Sequence, residues 1–203
     1  MRARTETARK LVKLGLLAVV SSVFFLGQAF AKDNVKDKAL LEAAATCRVE
    51  TVKELLNDGT NPNARDDRGE TPLHWAIGGC VHQVLNSYHW TSNSESEGAS
   101  KGVSPKFFKC LQVARLLLEK GADVDAKNRL GDSALESSVA SVHLSARRAS
   151  PEGMKHFRRM LLLLLDHGAR LDLKHPRMEG FLRYTPDGYR KTAEFLKAHG
   201  TNK

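Results

Sequence analysis

A pattern that recurs four times constrains the fold of this chain more than any other feature: an apolar-striped segment that stops at a glycine. The four glycines are Gly59, Gly121, Gly168 and Gly200. Each segment has the apolar spacing of one helix face, and glycine is the residue best suited to the left-handed conformation that ends a helix. Several such units in one chain predict a stack of repeats rather than a globule around a central core.

The second unit opens with the most specific string in the sequence, Gly-Glu-Thr-Pro-Leu-His-Trp-Ala at residues 69–76. Thr71 can cap a helix, Pro72 suits the first helical turn because it lacks an N–H donor, and Leu73 begins the buried face. The string resembles the ankyrin repeat closely. That resemblance implies an all-α solenoid of about four helix-turn-helix repeats, in which His74 braces the turn through hydrogen bonds.

Spacing between the glycines locates two insertions. The intervals are 62, 47 and 32 residues, against about 33 for the family, and the surplus falls between the two helices of the second and third repeats. The sequence predicts that Pro151 ends a helix, and that Pro186 leaves only 189–199 helical in the last repeat. The predicted divisions are 35–67 (N-terminal capping repeat), 68–129 (insertion 81–109), 130–176 (insertion 143–156) and 177–203 (degenerate C-terminal capping repeat).

The first 31 residues have the three parts of a secretory signal. A basic start precedes the apolar run 14–26, and Ala29, Phe30 and Ala31 form the small-x-small pattern of a cleavage site. We therefore expect cleavage after Ala31 and export, most simply to a bacterial periplasm. An uncleaved anchor is the alternative, because residues 14–31 just reach the lower length limit for crossing about 30 Å of hydrocarbon.

Charge is distributed unevenly along the expected mature chain. Residues 32–203 carry 27 Lys and Arg against 22 Asp and Glu, a net charge of +5. Residues 143–203 hold 13 basic and 6 acidic side chains, whereas residues 32–142 hold 14 and 16. The basic end can attract an acidic partner or make weak contact with an anionic membrane, and solvated helix faces are an equally good interpretation.

The resemblance also indicates where a partner binds. Ankyrin proteins usually bind through the concave face made of finger-like turns and inner helices. The corresponding positions are Asp66, Asp67, Arg68, Glu70, Trp75, Arg129, Leu130 and Asp132. The insertions add aromatic and basic candidates, namely Tyr88, Trp90, Arg147 and Arg148. Structural alternatives remain open: Trp75 can fill the gap between repeats, and the insertion residues can cover an edge or form a solvated basic face.

Three cysteines in an exported chain leave at least one unpaired in a monomer. Cys47 and Cys80 occupy the same place in successive repeats, about 10 Å apart, which is beyond the reach of a disulfide. Cys80 and Cys110 flank the first insertion at its two ends. The sequence therefore predicts a disulfide between Cys80 and Cys110.

Residue patterns for catalysis are missing from the sequence. The eight histidines lack zinc-helix spacing, and the chain has no Cys-x-x-Cys, no Gly-rich phosphate loop and no Gly-x-Ser-x-Gly turn. We expect no enzyme activity, catalytic residue, metal or cofactor. Export and the absence of a recognition motif argue against nucleic acid as a partner.

The expected function is stoichiometric binding of another protein by a monomer. The chain resembles small periplasmic ankyrin-repeat proteins, which implies an immunity or inhibitor protein for a toxin such as a secreted lipase. Two alternatives remain. One is an accessory or scaffold protein that supports another periplasmic enzyme, and the other is an envelope scaffold whose basic C-terminal end sits on anionic lipid.

Overall fold

The computed structural model describes residues 34–86, 104–144, 151–170, 172–183 and 190–199. These residues form helices and turns, with no strand among them. The helices are α1 (34–45), α2 (Val49–Asn57), α3 (Pro72–Leu85), α4 (Pro105–Glu119), α5 (Ala134–Leu144), α6 (Pro151–Asp166), α7 (Pro176–Arg183) and α8 (Arg190–His199).

The helices associate as pairs that stack side by side. Within the second pair α3 packs on α4, and it also packs on α5 and α6 of the third pair. The contacts α5 to α7, α2 to α4 and α6 to α8 continue an inner row (α1, α3, α5, α7) and an outer row (α2, α4, α6, α8). This arrangement confirms the all-α solenoid expected from the sequence.

Glycine ends three of the four outer helices, as the sequence predicted. Gly59, Gly121 and Gly168 have φ values of +79°, +86° and +87°. The next residue's N–H then bonds a carbonyl inside the helix, as in the 2.9 Å bond from Ala122 to Leu117. Gly200 lies outside the described residues.

One hydrophobic core runs the length of the stack, from Leu40 in α1 to Leu196 in α8. Its largest fully buried members include Phe107 in α4 and Phe157 in α6. Each pair buries one face against its neighbours, so stability depends on contacts between successive repeats. The inner and outer rows are therefore held in a fixed relation to each other.

The last pair departs from the sequence prediction. Residues 176–183 form α7, so the fourth pair has an inner helix that the sequence did not reveal. Pro176 begins α7 as Pro72 begins α3, because a proline at the first helical position removes no needed donor. Pro151 is likewise the first residue of α6, and the predicted extension of the preceding helix up to this proline falls on residues 145–150, outside the described residues. The repeat boundaries and the two insertions stay predictions.

The predicted Cys80–Cys110 disulfide is wrong, because the structure pairs Cys47 with Cys110 at a Cα separation of 4.7 Å. Cys47 lies in the turn between α1 and α2 with a left-handed φ of 58°, whereas Cys80 lies inside α3, so the two do not occupy the same place in their repeats as predicted. Its side chain reaches α4 beside Gly79, where an added Cβ would lie 2.9 Å from the Sγ of Cys47 and 3.1 Å from that of Cys110. Cys80 is a free, buried thiol that faces the carbonyl oxygen of Phe107 at 3.9 Å, and burial raises its pKa.

Candidate functional site

A tight turn at residues 66–70, here called finger 1, lies directly before the start of α3. The Asp66 carboxylate folds this turn, since its Oδ1 accepts the backbone N–H groups of Arg68 and Glu70, both at 2.8 Å. Its Oδ2 accepts the indole N–H of Trp75 at 3.1 Å. Asp66 is therefore engaged internally, which leaves Asp67 and Arg68 exposed at the tip.

Finger 2, residues 128–132, repeats this construction one repeat later. The Asn128 side-chain oxygen accepts the backbone N–H groups of Leu130 at 2.9 Å and Asp132 at 3.0 Å. Asn128 and Asp66 stabilise their turns in the same way, because one side-chain oxygen of each accepts the backbone N–H groups two and four residues further along the chain. Arg129 and Leu130 are exposed at this tip, Leu130 by 75 %.

The two fingers are bonded to each other. The backbone N–H of Arg129 donates to the carbonyl of Arg68 at 3.0 Å, and the Asn128 amide donates to Glu70 Oε1 at 2.9 Å. Arg65 adds bonds from Nη1 to the carbonyls of Gly69 (2.9 Å) and of residue 127 (2.6 Å). These bonds give the fingers a shared, preorganised geometry, which lowers the entropy lost when a partner binds.

His74 ties finger 2 to the start of α3, in the bracing role that the sequence implied. The Thr71 N–H donates to His74 Nδ1 at 3.3 Å, so Nδ1 is an acceptor and the ring proton is on Nε2. Nε2 then donates to the carbonyl of Asp132 at 3.2 Å. Desolvation by burial lowers the pKa of His74, which favours this neutral form.

Glu136 takes the equivalent position at the start of α5. It caps the helix by accepting the Ser133 N–H at 2.7 Å, and it forms an ion pair with Lys127. Burial alone would raise the pKa of this carboxyl, but the hydrogen bonds from Lys127 and Ser133 outweigh burial, and the net effect lowers the pKa. The start of α5 therefore keeps a buried negative charge that is paired with Lys127 and the Ser133 N–H.

A groove of about 360 Å³ runs between α3 and α5 behind finger 1. One wall carries Trp75 and His82 with Gly78 between them, and the other carries the small side chains of Ser137 and Ser141. Small residues at this spacing let another chain approach the two helices closely. The groove and the exposed finger tips, together called the concave surface below, have the mixed apolar and polar character of surfaces that contact other proteins.

Comparison with known proteins identifies the repeats. A family model described as "Ankyrin repeats (many copies)" matches residues 40–85, and one described as "Ankyrin repeat" matches residues 106–129. The first match spans most of α1, then α2, finger 1 and α3, and the second spans α4 and the first residues of finger 2.

The chain contains ankyrin repeats.

Relatives of this ankyrin-repeat protein come from very different sources. It is 32 % identical over 104 residues to "Putative ankyrin repeat protein L86" of Acanthamoeba polyphaga mimivirus, covering 49 % of this chain and 15 % of the relative. It is 26 % identical over 169 residues to human "Neurogenic locus notch homolog protein 1", covering 80 % of this chain and 6 % of the relative. It is 27 % identical over 167 residues to mouse "B-cell lymphoma 3 protein homolog", covering 75 % of this chain and 34 % of the relative. The chain thus spans about a third or less of these relatives.

The human ASB11 ankyrin repeat domain is a similar solved structure, with 22 % sequence identity and a TM-score of 0.49, covering 80 % of this chain and 54 % of that one. Ankyrin repeats are modules for protein–protein interaction, and the family is generally a non-enzymatic scaffold. A protein partner is the coarse function that follows.

The ankyrin structure brings most of the predicted contact residues to one face. Arg68, Glu70 and Trp75 line the groove, with Trp75 also packed against the core, while Arg129 and Leu130 stand on the neighbouring tip. Trp75 thus both fills space between repeats and forms a wall. The four insertion candidates lie outside the described residues; they are Tyr88, Trp90, Arg147 and Arg148.

Asp132 does not belong to the exposed set, and its prediction as a contact residue was wrong. Its residue exposure is 2 %, and its carboxylate lies 3.6 Å from His175 Nε2 near the start of α7. The turn of finger 2 directs this side chain into the stack because the next repeat packs there. Asp132 therefore supports the finger from behind.

Sequence reasoning missed the small residues of the groove, Gly78, Ser137 and Ser141. A usable signal existed, since positions 75, 78 and 82 and positions 134, 137 and 141 have the spacing of one helix face.

Within the described part of the chain, no cluster of three or more His, Cys, Asp or Glu side chains is arranged to hold a metal. The helices described are also too short or too polar to cross a bilayer.

Proposed function

We propose that this ankyrin-repeat protein is exported and neutralises another protein, a toxin such as a secreted lipase, by stoichiometric contact through its concave surface. The observation that carries the proposal is the groove between α3 and α5 with its two rigid finger tips. The carboxylates around it are largely occupied by internal bonds, whereas Arg68 and Leu130 project into solvent. A bonded frame that presents an exposed cation and an exposed apolar side chain is the anatomy of a protein-binding surface.

Two features support an oxidising compartment as the place of action. The leader-like residues 1–31 provide an export address. The Cys47–Cys110 disulfide, set beside a glycine with no room for a side chain, suits an extracytoplasmic protein because thiols are kept reduced in the cytosol. Fractionation of the native cells, with mass spectrometry of the recovered chain, tests this part: a periplasmic chain that begins at Lys32 is expected, and a reduced cytoplasmic chain that still carries residue 1 would contradict it.

The immunity role rests on the combination of a small protein-binding module and the leader-like residues 1–31, which provide an export address. Deleting the gene should sensitise cells to the toxin encoded beside it, and the purified chain should inhibit that toxin at a 1:1 ratio. Unchanged survival together with reduced activity of a resident envelope enzyme would instead identify an accessory protein.

A pair of matched variants tests the surface itself. Arg68→Glu with Leu130→Asp changes two exposed tip residues and should weaken inhibition about tenfold or more while leaving folding intact. Lys53→Glu with Leu162→Asp makes the same chemical changes on exposed positions of the outer helices and should leave inhibition unaltered. Equal losses in both variants would argue against the concave surface, even if the toxin assignment holds.

A further inference from the structure

The outer helices α4 and α6 carry a second surface that the proposed function does not use. Phe108, Gln112 and Arg115 are all exposed and follow one another at i, i+4 and i+7 on α4. The same spacing places exposed Lys155, Arg159 and Leu162 on one face of α6. These six residues are called the outer patch below.

Aromatic contacts hold these faces of α4 and α6 side by side. The Phe108 ring meets the His156 ring of α6 edge to face at 5.5 Å, and it meets the buried Phe107 ring at 5.6 Å. Phe107 also contacts His156 at 5.3 Å. Phe108 is therefore fixed in position although 48 % of it is exposed.

Apolar exposure is concentrated on the outer patch. Among the described residues, the large hydrophobic side chains counted as exposed are Val35, Phe108, Leu130 and Leu162. Leu130 belongs to the concave surface, and two of the other three lie on the outer patch. An exposed phenylalanine and leucine amid bases match the composition of surfaces that insert shallowly at a membrane interface.

The charge of the outer patch is positive. Arg115 and Arg159 form no ion pair with any described residue, and Lys155 forms an ion pair with the partly exposed Glu152, at 3.5 Å. Two exposed acids continue these faces by one turn, Glu119 after Arg115 on α4 and Asp166 after Leu162 on α6. The six residues carry a net charge of +3, which complements an anionic surface.

We propose that the outer patch docks this protein on an anionic phospholipid bilayer, with Phe108 as the apolar anchor and Arg115, Lys155 and Arg159 as the cationic contacts. A lipid surface recognises net charge and a few interfacial side chains, so it needs no groove. A specific protein partner would need a complementary surface of about 1,000 Å² or more. Docking through the outer patch leaves the concave surface directed away from the membrane.

Vesicle sedimentation tests the proposal with a defined probe. The purified full chain is mixed with vesicles of phosphatidylcholine alone or with 30 % phosphatidylglycerol, at low and high salt. Binding to the anionic vesicles that falls steeply with salt is expected, because exposed charges are screened. No difference between the two vesicle types at low salt would overturn the proposal.

Matched variants locate the contact, and any contribution of residues 1–31 is common to all of them. Arg115→Gln with Arg159→Gln should weaken anionic-vesicle binding about 25-fold, at about fivefold per base. Lys53→Gln with Lys197→Gln removes two exposed bases elsewhere and should retain most of the binding. An equal loss in this control would overturn the assignment to the outer patch, and full binding by Phe108→Ser would overturn the anchor. The toxin-inhibition assay is separate, so either proposal can fail alone.

Discussion

Removing the Cys47–Cys110 disulfide should cost this protein a large part of its stability. The bond joins residues 63 positions apart, and closing a loop of that size reduces the entropy of the unfolded chain enough to stabilise the fold by about 4 kcal/mol. Total stabilities of small proteins are about 5–15 kcal/mol, so the loss is severe. We expect Cys47→Ala with Cys110→Ala to lower the urea midpoint by about 2 M, for an m value of about 2 kcal/mol/M.

Cys80→Ala is the matched control, because it also removes a buried sulfur but leaves the disulfide intact. Its cost should be about 1–2 kcal/mol, from the small cavity alone. Peptide mapping without reductant provides the direct check: trypsin should release residues 39–48 linked to residues 110–115, with Cys80 alone in residues 69–101. A link between 69–101 and 110–115, or a Cys80→Ala loss as large as that of the double variant, would refute the pairing.

Three further predictions concern the same region. Gly79→Ala should destabilise the protein by about 1–3 kcal/mol in urea titrations, because the new Cβ would lie 2.9 Å from the Sγ of Cys47; Gly78→Ala has open space and should be neutral or stabilising. Burial lowers the pKa of His74, so its contribution to the free energy of unfolding should be complete above about pH 6.5 and be lost as pH decreases through the folded pKa. Urea titrations at several pH values should therefore show a flatter pH dependence for His74→Gln. Glu136 has a lowered pKa despite its burial, so its contribution to the free energy of unfolding should be present above about pH 4.5 and be lost on further acidification. Unfolding curves of Glu136→Gln measured across this pH range should lack that loss.

Local sequence was enough to predict the repeat architecture. The glycine at the end of an outer helix and the Thr71–Pro72 start of α3 act within a few residues of themselves, so their consequences can be read directly from the sequence. The family resemblance implied the bracing role of His74; its bond with the Thr71 N–H is local, whereas its bond to the Asp132 carbonyl spans 58 positions. The exposed tips of the fingers were also predictable, since Arg68 and Leu130 sit at the apex of short turns.

Long-range contacts decided the features that the sequence left open or predicted wrongly. The partner of Cys110, the burial of Asp132 and the groove beside Gly78 all depend on which turn of one repeat meets which face of the next. Helix α7 also escaped prediction, because its short segment is stabilised by packing on α5 rather than by a strong local motif.

The sequence by itself therefore determined that this chain stacks helix pairs, since hydrogen bonds and caps within each repeat are local. Only the tertiary structure decided which side chains meet between repeats, because those contacts join residues up to about 60 positions apart and depend on the angle and offset of stacking. The disulfide, the concave groove and the outer patch all arise from that offset, and they carry the functional proposals.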